Sequence, residues 1–234
     1  CLHGGACNTD FIDNAGGVDC SDHEVNIKIL LNEIVANGDL TQKQRNQLLV
    51  DMTDNVAQLV LHNNTRQTQA ISIAQSEALQ RSAEYRRFMN ALQSAGRLDR
   101  KLEFLPTDEQ LLERQTHGKS LTRPELSILI SYAKAVLKED LAATNIVDDE
   151  YLAKFIETAF PHKIAQLFPL ALRNHRLRRE IVATQIANDM VNTMGISFAQ
   201  RLMESTGASV GDVAKAYIIA RDIYAMPEFL AALD

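Results

Sequence analysis

The chain has 234 residues, of which 46% are hydrophobic and 23% charged, a balance that excludes wholesale disorder and fits a soluble globular protein. Lys and Arg number 24 against 30 Asp and Glu, for a net charge of -6, which argues against a general cationic nucleic-acid binder. The longest apolar runs, such as Ala216–Ala220, are about five residues, far short of the roughly 20 that cross a bilayer.

Residues 1–20 stand apart. CLHGGACNTDFIDNAGGVDC holds all three cysteines (Cys1, Cys7, Cys20) and the paired glycines Gly4-Gly5 and Gly16-Gly17. It shows no helical period, and small residues with paired glycines fit turns and loops that face a ligand. Cys1 is not a natural initiator, so the chain is expected to be a piece of something longer. An odd number of cysteines confined to one end is no disulfide scaffold. No basic-then-apolar leader opens the chain, so the cytoplasm is the expected compartment and no membrane partner is expected.

From Ser21 the character changes. Ser21-Asp22-His23-Glu24 has the S-x-x-E form of a capping box, and Val25, Ile27, Ile29, Leu30, Leu31 and Ile34 predict a buried helix stopped at Asn37-Gly38. A second helix is expected from Thr41 to about Leu61, broken by His62-Asn63-Asn64. Thr65 to Ala95 reads as one long helix with a narrow apolar stripe and many Gln and Arg outside, ended by Gly96; such helices bridge bodies or pack in oligomers. Thr107 caps a short helix to Arg114. Thr122-Arg123-Pro124-Glu125 opens another to about Lys138 with a cap, an early proline and a capping box. Further helices are expected from Asp148 to Phe160, His175 to Met194, Ser197 to Glu204, Gly211 to Ala225 and Pro227 to Leu233. With ten glycines and five prolines, and almost no period-two alternation, the fold class is all-α: a multi-helix domain preceded by a short non-helical segment.

The informative string is Asn14-Ala15-Gly16-Gly17-Val18-Asp19-Cys20-Ser21-Asp22-His23-Glu24, of the form N-A-G-G-V-x-x-S-x-x-E. It resembles the signature that glutamate dehydrogenases and related amino-acid dehydrogenases carry where the nucleotide-binding domain ends and a long helix begins. The wider stretch NTDFIDNAGGVDCSDHEVNIKILLN is more similar still to the large bacterial NAD-specific glutamate dehydrogenases. The resemblance is sharp over residues 8–32 and general beyond. It implies that residues 1–24 are the tail of a Rossmann-like α/β domain and 25–234 a helical C-terminal domain. It also implies that Asn14, Gly16 and Gly17 contact NAD, and that Val18 and Ser21 line the pocket for the substrate's distal carboxylate. The implied reaction converts L-glutamate, NAD and water to 2-oxoglutarate, ammonium and NADH, in an assembly expected to be a homo-oligomer.

The residue chemistry agrees. Adjacent glycines let backbone approach a bulky ligand, an asparagine both donates and accepts, and a serine at a helix start sits where anions bind. Capping and carboxylate binding compete for the Ser21 hydroxyl, and both readings stay open. No G-x-G-x-x-G occurs, so the phosphate-cradling half of a dinucleotide site is absent. Nor is there a counterpart of the family's catalytic lysine or aspartate. No catalytic residue is therefore assigned, and the chain alone is expected to be inactive.

Three other readings compete. Cys1, His3, Cys7, Cys20 and His23 are soft ligands, but C-x-H-x3-C followed by C-x2-H matches no common zinc module, and no metal is assigned. Arg173, His175, Arg176, Arg178 and Arg179 form a basic cluster at a helix start, disfavoured there unless acids pair with it; nucleic acid is the less favoured reading. The alternative to catalysis is a helical protein-interaction scaffold.

Overall fold

A computed structural model describes residues 1–232, and every regular element among them is a helix. A single turn, α1 (Asp10–Asp13), leads into α2 (Ala15–Ala36), α3 (Gln42–Asp51) and α4 (Thr53–Glu77). After α5 (Ser82–Ser94) and α6 (Asp108–Thr116) comes α7 (Arg123–Ala142), followed by two 3-10 stretches at Asn145–Asp148 and Leu152–Ala159. Two short helices, α8 (His162–Leu167) and α9 (Pro169–Arg173), precede α10 (Arg178–Met194), α11 (Phe198–Thr206), α12 (Val210–Ile223) and α13 (Met226–Ala231). The all-α class is borne out. The expected end of the last helix at Leu233 lies outside the described residues.

The core is built on α7 and α10, which lie side by side. Leu126, Leu129, Ile130, Leu137 and Leu141 recur at helical spacing on α7, and Val182, Ile186, Ala187 and Met190 do so on α10; all are buried. Each such leucine or isoleucine withdraws enough apolar surface to contribute about 1.5–3 kcal/mol. Against this pair packs α4 through Ala70, Ile71 and Ala74, and α2, with Ile27, Leu30, Leu31 and Ile34 buried, packs in turn on α4.

Four expectations fail for physical reasons. Residues 10–20 are not non-helical: α1 covers Asp10–Asp13 and α2 begins at Ala15, six residues before Ser21. Glycine is costly mid-helix but tolerated in a first turn. Gly16 there lies over α4, where a Cβ would meet Asn64 Nδ2 at 3.8 Å and Val60 Cγ1 at 3.9 Å. The Ser21 capping box therefore does not form: the Ser21 hydroxyl donates back to the Gly17 carbonyl at 3.2 Å, and Glu24 pairs with Lys28 one turn on.

The predicted break at His62-Asn63-Asn64 is the middle of α4, while the real break falls at Met52. The amides that look like breakers have partners, since Asn64 donates to the Val60 carbonyl (2.8 Å) and Asn63 to Asp19 (2.9 Å). The long helix expected over 65–95 is interrupted at residues 78–81. Ser120 Oγ donates to the Ala78 carbonyl at 2.8 Å, removing an acceptor from the helical ladder.

Candidate functional site

The outer face of α2 gathers the residues singled out by sequence. Successive helical residues turn by about 100°. Taking Asp19 as reference, Asn14, Val18, Ser21 and Val25 all fall within a sector of about 60° on the far side, and Asp19 and His23 point inward. Burial agrees: Asn14 and Ser21 are exposed, Val18 is 60% and Val25 53% exposed, and His23 is buried at 5%. Asn14 and Ser21 stand two turns apart on one side of one helix. Gly17 lies at the edge of this face, where a Cβ would come within 3.2 Å of Asn14 Oδ1. Gly16, also named from the sequence, faces α4. Four of the five residues thus lie on or at the edge of one open helix face rather than in a pocket, and Gly16 lies behind it.

No side chain caps the first turn of α2, since Asn14 precedes the helix without a side-chain hydrogen bond to it. Upstream, Asn8 Nδ2 donates to Asp13 Oδ1 (2.8 Å), and Arg123 Nε donates to Asn8 Oδ1 (2.5 Å) while its Nη1 reaches Ser72 Oγ (3.0 Å). This guanidinium ties the opening segment to α4 and α7.

Behind the wall lies a polar layer that the sequence reading missed. Asn63 Nδ2 donates to Asp19 Oδ2 at 2.9 Å and lies 3.4 Å from His23 Nε2. His23 Nδ1 sits 2.9 Å from the Ala159 carbonyl. A carbonyl only accepts, so Nδ1 carries the proton and Nε2 is the acceptor for Asn63. One turn along α4, Gln67 Oε1 accepts from Lys134 Nζ at 2.7 Å. Burial pushes the Lys134 ammonium down to about 7; the Arg66 charge works in the same direction, and Asp19 opposes both. Arg66 is held by Asp189 at 2.9 Å and Thr193 at 2.7 Å. Asp189 in turn takes Tyr217 (2.9 Å) and Arg221 (2.8 Å). The available signal was Lys134 itself, the one cation in the apolar run from Ile128 to Leu137.

The competing features resolve into local contacts. Within the basic cluster, Arg178 and Arg179 both pair with Asp148, Arg176 pairs with Glu33 (3.3 Å), and buried His175 reaches the Asn26 carbonyl (3.0 Å). The Cys1 and Cys7 thiols lie 3.5 Å apart, and Cys20 is a separate exposed thiol. Among the described residues no three His, Cys, Asp or Glu side chains converge as metal ligands, and no helix is long and apolar enough to cross a membrane. An open cleft of about 420 Å³ between Thr144, Asp148, Ser209, Asp212 and Lys215 includes none of the motif residues.

Two family models match the chain. Residues 118–234 match "Glutamate dehydrogenase, C-terminal", and residues 1–74 match "Bacterial NAD-glutamate dehydrogenase, catalytic domain". The chain is similar to the NAD-specific glutamate dehydrogenase of Pseudomonas aeruginosa, with 62% identity over 233 residues, and to that of Halomonas elongata, with 58% over 230. That of Mycobacterium tuberculosis is 39% identical over 223 residues. These alignments take in 100%, 97% and 95% of the chain, yet the chain spans only 14% of the length of each relative.

Proposed function

Because the chain belongs to the glutamate dehydrogenase C-terminal family, we propose that it is the C-terminal part of an NAD-dependent glutamate dehydrogenase and supplies one wall of its cofactor and substrate cleft. The proposed reaction takes L-glutamate, NAD and water to 2-oxoglutarate, ammonium and NADH in the cytoplasm. NAD would supply the hydride acceptor, and the protein's part is to bind and orient. Asn14 and the backbone at Gly16 and Gly17 would hold the nicotinamide-ribose end. The amide offers both a donor and an acceptor, and Gly17 keeps the space beside Asn14 open.

Val18 and Ser21 would receive the distal carboxylate of glutamate. For that the Ser21 hydroxyl must turn from the Gly17 carbonyl toward the ligand, at the cost of one helix-internal hydrogen bond worth about 1 kcal/mol. A charge-assisted bond to a carboxylate is stronger and offsets it. The observation that carries the reading is the placement of Asn14, Val18 and Ser21 on one exposed face with no cap on the helix start. In this reading residues 1–24 close the nucleotide-binding domain, and 25–234 form a helical region that supports the wall and contributes to a homo-oligomeric assembly. The other walls, with the phosphate cradle and the catalytic lysine and aspartate, belong to the rest of the polypeptide.

Two measurements test this. The 234-residue chain alone forms no NADH from glutamate and NAD; measurable turnover by it overturns the division of labour. In the full-length protein, Ser21→Ala raises the KM for glutamate about tenfold or more, the order expected for one hydrogen bond to a charged group. An unchanged KM removes Ser21 from the site.

A further inference from the structure

Asp19 and His23 belong to the same helix as Asn14, Val18 and Ser21 but face the other way, so whatever holds them fixes where the outer face points. Asn63 on α4 touches both, one through Asp19 Oδ2 at 2.9 Å and the other at His23 Nε2 at 3.4 Å. Those two residues are one helical turn apart, and a single amide in contact with both resists rotation of α2 as well as sliding. His23 is anchored on its other side by the Ala159 carbonyl at 2.9 Å. One turn further along α4, Gln67 accepts from Lys134 of α7 at 2.7 Å. The charged and titratable groups around this layer are Asp19 and His23 on α2, Arg66 on α4, Lys134 on α7, Asp189 on α10, and Arg221 on α12.

We propose that Asn63 is a positioning residue that fixes the rotation of α2 and thereby aims the Ser21 hydroxyl at the distal carboxylate of the substrate. This rests on the reading of Ser21 given above and adds to it a residue from the body of the helical region. The lever is short. A rotation of α2 by about 20° sweeps a side-chain oxygen through about 1.5 Å, given a Cα radius of about 2.3 Å plus the side chain. Misplacement by about 1 Å is enough to lose most of the benefit of a positioned group. Asn63 touches no substrate; it acts only through α2.

A double-mutant cycle in the full-length enzyme separates this role from a merely structural one. Asn63→Ala raises the KM for glutamate about five- to tenfold. In the Ser21→Ala background the same change adds less than about twofold, because there is no hydroxyl left to aim. A structural role gives the opposite result, with the two defects multiplying. Asp19→Asn is the second variant, should Asn63→Ala fail to fold. It keeps the shape but loses the carboxylate that Asn63 binds, raises the KM about threefold, and is likewise silent in Ser21→Ala. An unchanged KM in Asn63→Ala, or full multiplication in the double variant, overturns the positioning role while leaving Ser21 in the site. A normal KM in Ser21→Ala overturns both.

Discussion

The openings of α2 and α7 are built on opposite plans. At α7 the Glu125 carboxylate accepts from the Thr122 N–H (2.6 Å) and hydroxyl (2.8 Å) and receives both Arg114 nitrogens at 2.8 and 3.0 Å, with Pro124 in the first turn. Glu125, Leu126, Ser127, Leu129 and Ile130 are all buried. At α2 two glycines sit in the first turn, no side chain caps it, and no residue is buried before His23. One helix start is completed by its own neighbours; the other has no side-chain cap. Completeness of local interactions thus separates the part that carries stability from the part proposed to carry the site.

Core truncation sets the upper end of this contrast. Leu129→Ala on α7, at 0% exposure, should cost about 3 kcal/mol in urea unfolding, from lost transfer energy and the cavity left behind. Val18→Ala on the outer face of α2 should cost less than about 0.5 kcal/mol. A loss of core size at Val18 would mean that the face is packed and the comparison is wrong.

The caps come next. Glu125→Ala removes a capping acceptor and leaves Arg114 without its carboxylate, and should lower stability by about 2–3 kcal/mol. Ser21→Ala should leave it unchanged or raise it by a few tenths, since alanine is the better helix former at an exposed interior position. Thermal melts of the two variants give the sign directly.

Lys134 connects the two regions and makes the contrast depend on pH. Its ammonium, pushed down to about 7 in the folded chain by burial first and the Arg66 charge second, keeps its proton to about 10.4 when unfolded. Between these values the unfolded state binds more protons, so this group makes stability rise with pH across that window, by at most about 1.4 kcal/mol per pH unit. Below about 7 both states are protonated and the penalty of the buried charge is present in full. Lys134→Met should therefore flatten the rise between pH 7 and 9 and raise the melting temperature at pH 6. A parallel pH profile in wild type and variant would place the titration elsewhere.

How far this could be read from the residues differs in the same way between the two regions. Where a helix start is satisfied by neighbours in sequence, as at Thr41, Thr107 and Thr122, the boundary was legible to within a residue or so. Where a distant group decides, it was not. The break after Glu77 depends on Ser120, 42 positions from Ala78, and the continuity of α4 through Asn63 depends on Asp19, 44 positions away. The motif residues were picked out by their resemblance to a family signature; that Asn14, Val18 and Ser21 share one helix face was not legible, because the segment was read as non-helical. Asn63, Gln67 and Lys134 were not legible either, because nothing in a sequence says which side chain of one helix meets which of another: Asn63 reaches Asp19, and Lys134 reaches Gln67.

The finest test of the contrast is the glycine pair. Alanine at Gly16 would make ordinary contacts with Val60 and Asn64, and alanine at Gly17 would require only the exposed Asn14 side chain to give by a few tenths of an ångström. Neither glycine has the positive φ that would forbid a side chain. Both replacements improve helix propensity, so Gly17→Ala should leave the chain as stable or more stable by up to about 0.5–1 kcal/mol. If the pair were there for folding, the opposite would be seen. In the full-length enzyme the same change should raise the KM for NAD several-fold, because a methyl group now occupies the edge of the wall that the cofactor approaches and crowds Asn14 off its position. A variant that gains stability while losing cofactor affinity identifies a glycine retained for the ligand, and one that melts early with an unchanged KM identifies a glycine retained for the helix.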